Sequence, residues 1–207
     1  MPTSHPQSAI THLLYLHGFR SSPQSYKARV MAQLMADKHP QIHWWCPQLP
    51  PSPKDAMALL IEGIQHWPRD SMAVIGSSLG GFYATQVAEQ TGCKAVLFNP
   101  AVNPARDLAK YIGEQSSWHD PEERFFFKPE FVQELRDLTL ASLKHPENYL
   151  AVIAQGDEVL DWREMLARYP GAQIRLLEGG DHALSDFEVH LPAVLNFLGL
   201  ASPRYSS

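Results

Sequence analysis

The sequence has few cysteines, no cluster of positive charge and no long apolar run. It carries a formal net charge of -5 over 207 residues, which argues against nucleic acid as a partner. No apolar run approaches the ~20 residues that span a membrane. Residues 1–8 are polar and lack the apolar core of a signal peptide. We therefore expect a cytoplasmic protein with no membrane span.

Cofactor signals are also missing. No Cys and His spacing resembles a zinc site, and no glycine-rich phosphate loop is present. The sequence has two cysteines. Cys46 comes after one strand-like run and Cys93 comes before another. We expect them at opposite ends of a sheet, unpaired and in a reducing compartment. The sequence predicts no metal and no cofactor.

Strand-like runs alternate with helix-forming segments along the chain. The six runs are Thr11–His17, Ile42–Cys46, Ser71–Ser77, Lys94–Asn99, Tyr149–Gln155 and Gln173–Leu177. Helical spacing follows the first two runs, at Tyr26, Val30 and Leu34 and then at Ala56, Leu60, Ile64 and Trp67, where Ser52-Pro53 begins the helix. This alternation predicts an α/β fold with a parallel sheet covered by helices on both faces. We expect one domain over residues 11–200, between a disordered lead-in at 1–10 and a tail at 201–207.

A G-x-S-x-G pattern with Ser78 at its centre joins the third strand-like run to a helix-forming run. Gly76 and Gly80 lie two residues before and after the serine, where a sharp turn from strand to helix leaves room only for small side chains. Leu79, Tyr83 and Val87 then recur at helical spacing until Gly92. This context predicts that Ser78 is a nucleophile, whereas Ser77 lacks glycines at the same offsets.

A serine nucleophile needs a base and an acid that orients the base. Asp157 lies in a turn just after the fifth strand-like run, and His182 follows Gly179-Gly180 after the sixth. The resulting order of serine, acid and histidine is the one found in α/β-hydrolases. Asp161 and Asp120 remain as alternative acids, although Asp161 is better placed to cap the next helix.

Attack on a carbonyl also requires backbone N–H donors for the oxyanion. We expect one donor from Leu79, directly after the nucleophile, and a second from Phe19, in the loop after the first strand. Gly18 would let that loop approach the substrate. His17 beside it would fix the loop, and we place both residues at the border of the substrate site.

Five blocks of sequence, in order, resemble the small bacterial YqiA-type esterases of the α/β-hydrolase superfamily. They are residues 17–25, 76–82, 98–102, 156–161 and 178–183. The resemblance covers about residues 13–200. It implies a sheet of order 2-1-3-4-5-6 without the usual antiparallel edge hairpin, and a serine esterase with Ser78, Asp157 and His182 as its catalytic residues.

Residues 100–148 match that family loosely, and we expect a small, lid-like helical insertion there. Phe131, Leu135, Leu138 and Ser142 place a mainly apolar stripe on one helix. Three consecutive aromatics, Phe125, Phe126 and Phe127, cannot all face one core, so we place them at the acyl pocket.

Two functions from different classes follow. The first is a serine esterase that hydrolyses acyl esters or thioesters, such as acyl-CoA, through an acyl-enzyme intermediate. The alternative is a non-catalytic protein of the same fold that binds a ligand or partner. The sequence leaves the oligomeric state and the acyl-chain length open.

Overall fold

The computed structural model describes residues 9–118, 120 and 122–201. In chain order these residues form β1 (His12–Leu16), α1 (Tyr26–Lys38), β2 (His43–Trp45), α2 (Pro53–Gly63), β3 (Met72–Ser77), α3 (Leu79–Thr91), β4 (Lys94–Phe98), α4 (Pro104–Leu108), β5 (Gly113–Ser116), β6 (Arg124–Phe127), α5 (Pro129–Asp137), β7 (Tyr149–Ala154), α6 (Trp162–Arg168), β8 (Gln173–Leu177) and α7 (Leu191–Leu198).

Six of these strands form one parallel sheet in the order β2-β1-β3-β4-β7-β8. Counted along the chain, this is the predicted order 2-1-3-4-5-6. Strands β3 and β7 are buried along their whole length, as expected where helices cover both faces of a parallel sheet. The predicted α/β fold is confirmed.

Neighbouring side chains of each central strand point into two separate cores. In β3, Val74 packs with α2 and α3 on one face, and Ile75 packs with α1 and α7 on the other. Ser52 begins α2 as predicted, since its side chain accepts a hydrogen bond from the Asp55 N–H at 3.1 Å and Pro53 is the first helical residue.

Helix α1 is present, and Val30 and Leu34 of the predicted stripe are partly buried against the core, but other residues form the centre of its buried face. Ala28, Met31 and Met35 face the sheet, whereas Tyr26 is 46% exposed. The small alanine lets the helix approach the sheet, and the flexible methionines fill the remaining space.

The packed part of the chain begins before the predicted boundary at residue 11, because Ile10 is buried. Residues 1–8 of the predicted lead-in and 202–207 of the tail lie outside the described residues.

The insertion after β4 was predicted to be helical, but it also contains strands. Between α4 and α5 it contains an antiparallel hairpin, β5 and β6, in which Gln115 pairs with Phe125. The aromatic run at 125–127 favours an extended strand. The predicted helix that follows exists as α5 but ends before Leu138, so Ser142 lies outside it.

Candidate active site

Ser78 lies in a strained turn between β3 and α3. Its φ of 56° and ψ of -120° are unfavourable for a residue with a side chain. The flanking glycines explain how the turn is accommodated. A Cβ on Gly76 would lie 2.2 Å from the Gly80 carbonyl oxygen, and a Cβ on Gly80 would lie 2.0 Å from that of Leu16. Only glycine fits at either position.

The structure brings the three predicted side chains together at the carboxyl ends of the strands. His182 Nε2 lies 3.0 Å from Ser78 Oγ, and His182 Nδ1 lies 2.7 Å from Asp157 Oδ2. The Asp157 side chain is completely buried, whereas that of His182 is 20% exposed. A carboxylate can only accept hydrogen bonds, so Nδ1 carries the ring proton and Nε2 is left to accept the serine hydroxyl.

The turn after β7 fixes the Asp157 carboxylate. Its Oδ1 accepts the N–H groups of Val159 and Leu160, each at 2.8 Å, which leaves Oδ2 for His182. The two alternative acids are engaged elsewhere. Asp161 caps α6 by accepting the Arg163 N–H at 2.9 Å, and the exposed Asp120 accepts the Glu122 N–H at 3.1 Å.

The loop after β1 lies against the serine. A Cβ on Gly18 would lie 3.3 Å from Ser78 Cβ, so glycine permits this approach. The His17 ring is buried, with Nε2 accepting the Leu49 N–H at 3.1 Å and Nδ1 donating to the Gly18 carbonyl at 3.0 Å. Neither the Phe19 N–H nor the Leu79 N–H has an acceptor among the described residues.

The insertion supports this loop from outside. The Phe19 ring packs against those of Tyr111, Phe125 and Phe127, with centroids 5.3 to 5.9 Å apart. Arg20 Nε donates to the Ser116 carbonyl at 2.7 Å, and the Arg20 carbonyl accepts the Trp118 N–H at 2.8 Å. The hairpin therefore limits the movement of the Phe19 backbone.

A cavity of about 770 Å³ opens beside Ser78 and His182. Its apolar walls come from both the domain and the insertion, at Phe19, Leu108, Tyr111, Trp118, Val159 and Leu160. A second cavity of about 320 Å³ shares Gly18, Phe19 and Leu79 with the first and extends towards Leu49, Pro50, Tyr83 and Phe125. The space around the serine is mainly apolar.

Phe126 points away from Phe125 and Phe127 because successive side chains of a strand point to opposite faces. Phe125 lines the smaller cavity. Phe127 is 1% exposed and packs in the core, and Phe126 is 58% exposed. The expectation that all three border the acyl pocket is thus corrected for Phe126 and Phe127, which line neither cavity.

Several residues at the site were not identified from the sequence. Lys27 lines the larger cavity and donates from Nζ to the Ala183 carbonyl. Burial lowers the pKa of Lys27 to about 8, although the nearby Asp181 carboxylate acts in the opposite direction.

Two other side chains bond to the loop that carries His182. Glu158 accepts the His182 N–H at 3.0 Å. Asn99, with a φ of 40°, bonds to the same loop. An asparagine directly after a strand was the one available signal, since Asn tolerates a positive φ.

Within the part of the chain that the structure describes, no three His, Cys, Asp or Glu side chains group as a metal site would require. None of the described helices has the length and hydropathy of a membrane span.

The model of the uncharacterised protein family UPF0227 matches residues 12–199. A UPF0227 protein of Serratia proteamaculans is 26% identical over 191 residues, which cover 89% of this chain and 97% of that protein. A second UPF0227 protein, from Yersinia enterocolitica, is 25% identical over 189 residues, with the same coverage.

Solved structures of the α/β-hydrolase fold are also similar. Est1E from Butyrivibrio proteoclasticus, with ferulic acid bound, superposes with a TM-score of 0.68 at 14% identity, covering 96% of this chain and 91% of that one. The esterase Pf2001 of Pyrococcus furiosus gives 0.62 at 16% identity, covering 93% and 82%. Mouse alpha/beta hydrolase domain-containing protein 10 gives 0.65 at 16% identity, covering 87% and 85%. At these identities the similarity shows the fold alone.

Proposed function

The chain belongs to the UPF0227 family and has the α/β-hydrolase fold, and from this premise we propose that it is a serine esterase acting on acyl esters or thioesters. The observation that carries the proposal is the hydrogen-bonded chain from Ser78 through His182 to Asp157 on the wall of an apolar cavity. The esterases among the structural neighbours support it.

Acylation follows from the proton positions. Ser78 Oγ attacks the acyl carbonyl carbon while His182 Nε2 accepts the hydroxyl proton, and the buried Asp157 carboxylate stabilises the resulting imidazolium. The Leu79 and Phe19 N–H groups, which have no acceptor among the described residues, would bind the oxyanion. Collapse of the tetrahedral intermediate breaks the bond to the leaving alkoxide or thiolate, which takes the proton from His182.

Deacylation repeats these steps with water as the nucleophile. His182 takes a proton from the water, and the acid is released as Ser78 regains its hydrogen. The larger cavity is mainly apolar, which suits the acyl or alcohol part of an ester. The insertion contributes Pro104, Leu108, Tyr111 and Trp118 to its wall, and we propose that residues 100–148 select the substrate.

The proposal is tested with p-nitrophenyl esters and acyl-CoA thioesters of graded chain length, together with a fluorophosphonate that labels activated serines. Ser78→Ala should lower kcat by about 10³-fold or more and abolish labelling, because it removes the nucleophile. Ser77→Ala is the matched control and should still be labelled. Full turnover by Ser78→Ala would contradict the assignment.

If the wild-type protein neither hydrolyses any of these substrates nor reacts with the fluorophosphonate, the alternative gains support. The chain would then be a non-catalytic protein of the same fold that binds a ligand or partner.

A further inference from the structure

Asn99 directly follows β4 and is completely buried beneath the site. Its φ of 40° lies in the left-handed region, which costs free energy for any residue except glycine and is best tolerated by Asn and Asp. A buried polar side chain in this conformation requires compensating contacts.

The Asn99 amide makes three hydrogen bonds, all to main-chain atoms. Oδ1 accepts the Ala154 N–H at 2.8 Å, at the end of β7. Nδ2 donates to the Asp181 carbonyl at 3.0 Å and to the His182 carbonyl at 3.2 Å, in the loop after β8. One side chain therefore joins the ends of three neighbouring strands.

The contacts of the Asn99 amide lie close to Asp157 and His182, and the residue before Asn99 contacts Ser78. Ala154 is three residues before Asp157, and its carbonyl accepts the Asp157 N–H at 3.2 Å. The residue before Asn99, Phe98, accepts the Ser78 N–H at 2.9 Å. The bond to the His182 carbonyl is the most direct, because it holds the residue that carries the imidazole.

The loop that carries His182 has no regular secondary structure, although Asp181 holds a turn within it by accepting the Ser185 N–H on its side chain at 2.9 Å and the Leu184 N–H on its carbonyl at 3.1 Å. Gly179 and Gly180 precede it with φ values of 91° and 76°, and no helix or strand covers residues 178–186. Besides Asn99, two side chains from outside the loop bond to its main chain, Glu158 at the His182 N–H and Lys27 at the Ala183 carbonyl. Of the three, only Asn99 is fully buried, so its bonds compete least with water.

We propose that Asn99 is a positioning residue that fixes the His182 main chain and thereby keeps Nε2 within hydrogen-bond distance of Ser78 Oγ. Its effect on catalysis rests on the proposed esterase function, but its effect on the geometry of His182 does not. A purely structural asparagine would change stability and leave turnover by the folded protein unchanged.

Two substitutions remove the donor bonds in different ways. Asn99→Asp keeps the shape, the tolerance of a positive φ and the acceptor for Ala154, but it points a carboxylate oxygen at two carbonyl oxygens. Asn99→Gly removes the side chain and accepts the φ without strain. Asn148→Asp is the matched control, because Asn148 Nδ2 also donates to a backbone carbonyl, that of Gly92 at 3.0 Å, at the far end of the sheet.

For both Asn99 variants we expect kcat on a p-nitrophenyl ester to fall about 10- to 100-fold while KM changes less than about twofold, because a small displacement of a catalytic group mainly slows chemistry. The downfield proton resonance of His182 Nδ1–H, bonded to Asp157, should shift or broaden. Asn148→Asp should leave kcat, KM and the resonance unaltered.

Wild-type kcat in folded Asn99 variants, with an unaltered resonance, would overturn the proposal. Failure of both variants to fold would also overturn it, because Asn99 would then be needed for the fold itself. If the wild-type protein hydrolyses no ester but its resonance changes in the Asn99 variants, the proposed function fails and the positioning role stands.

Discussion

Asp157 and Asp161 lie four residues apart and make different contacts. The Asp157 carboxylate is buried against His182, whereas Asp161 accepts a backbone N–H at the start of α6. In the proposed mechanism only Asp157 contributes to catalysis, because only its carboxylate holds the His182 proton on Nδ1.

We expect Asp157→Asn to lower kcat by about 10⁴-fold through loss of the correct tautomer. Asp161→Asn should leave kcat unchanged and alter stability little, because Asn caps helices about as well as Asp. Steady-state kinetics of the two variants check this, with melting temperatures as a control. The reverse ranking would identify Asp161 as the acid.

The lowered pKa of Lys27 predicts that the stability of the protein depends on pH. Burial lowers its pKa in the folded protein to about 8, from an ordinary value near 10.5. Between these values the unfolded chain binds a proton that the folded protein does not, so the free energy of unfolding rises with pH. Below pH 8 Lys27 is protonated in both the folded and the unfolded state, so its contribution to the free energy of unfolding is at its minimum and no longer changes with pH.

Relative to Lys27→Met, the wild-type free energy of unfolding should rise between pH 8 and 10.5, by at most about 1.4 kcal/mol per pH unit. Urea unfolding of both proteins at several pH values measures the difference. Parallel curves for the two proteins would contradict the lowered pKa.

The hairpin of β5 and β6 supports the loop that carries the Phe19 N–H. Its strand β6 gives each phenylalanine a different environment, with Phe127 in the core, Phe125 at the smaller cavity and Phe126 towards solvent. Alanine substitutions at the three positions should therefore have different effects on stability and on substrate preference.

Phe127→Ala should cost about 3–5 kcal/mol of stability, as for other buried phenylalanines. Phe126→Ala should change stability by less than about 0.5 kcal/mol. Phe125→Ala should shift the preference among acyl chain lengths by about 1–3 kcal/mol in kcat/KM. Chemical unfolding and kcat/KM for short and medium p-nitrophenyl esters separate these effects, and an unaltered chain-length profile for Phe125→Ala would remove it from the pocket.

Across the whole molecule, the sheet separates the two free cysteines. Cys46 follows the carboxyl end of β2, and Cys93 precedes the amino end of β4 in the same parallel sheet. Burial raises the pKa of Cys46 to about 12 and that of Cys93 to about 11. Neither thiol is activated for reaction, and the two cannot pair in this fold.

We expect the melting temperature to be the same with and without a reducing agent. Cys93, which is 3% exposed, should be alkylated by iodoacetamide only when the core opens. Mass spectrometry of the native and urea-unfolded protein measures both rates. Rapid alkylation of native Cys93 would contradict its placement in the core.

The sequence by itself determined the α/β fold, because this depends on local patterns repeated along the chain, and its resemblance to a known family implied the order of the strands. It also singled out Ser78, Asp157 and His182, since the glycines of a sharp turn and the position of a residue after a strand are visible in a few neighbouring residues. The structure brings those three side chains within hydrogen-bond distance.

Only the tertiary structure decided that Ala28, Met31 and Met35 form the centre of the buried face of α1, that the insertion contains a hairpin, and that Phe125 is the one of the three consecutive phenylalanines that lines a cavity. It also decided the contacts of Asn99, whose partners are 55 to 83 residues away along the chain. Each of these features depends on which distant surfaces pack together. Periodicity indicates that a residue is apolar or that a turn is tight, but the burial of one face and the partners of one amide are set by long-range packing.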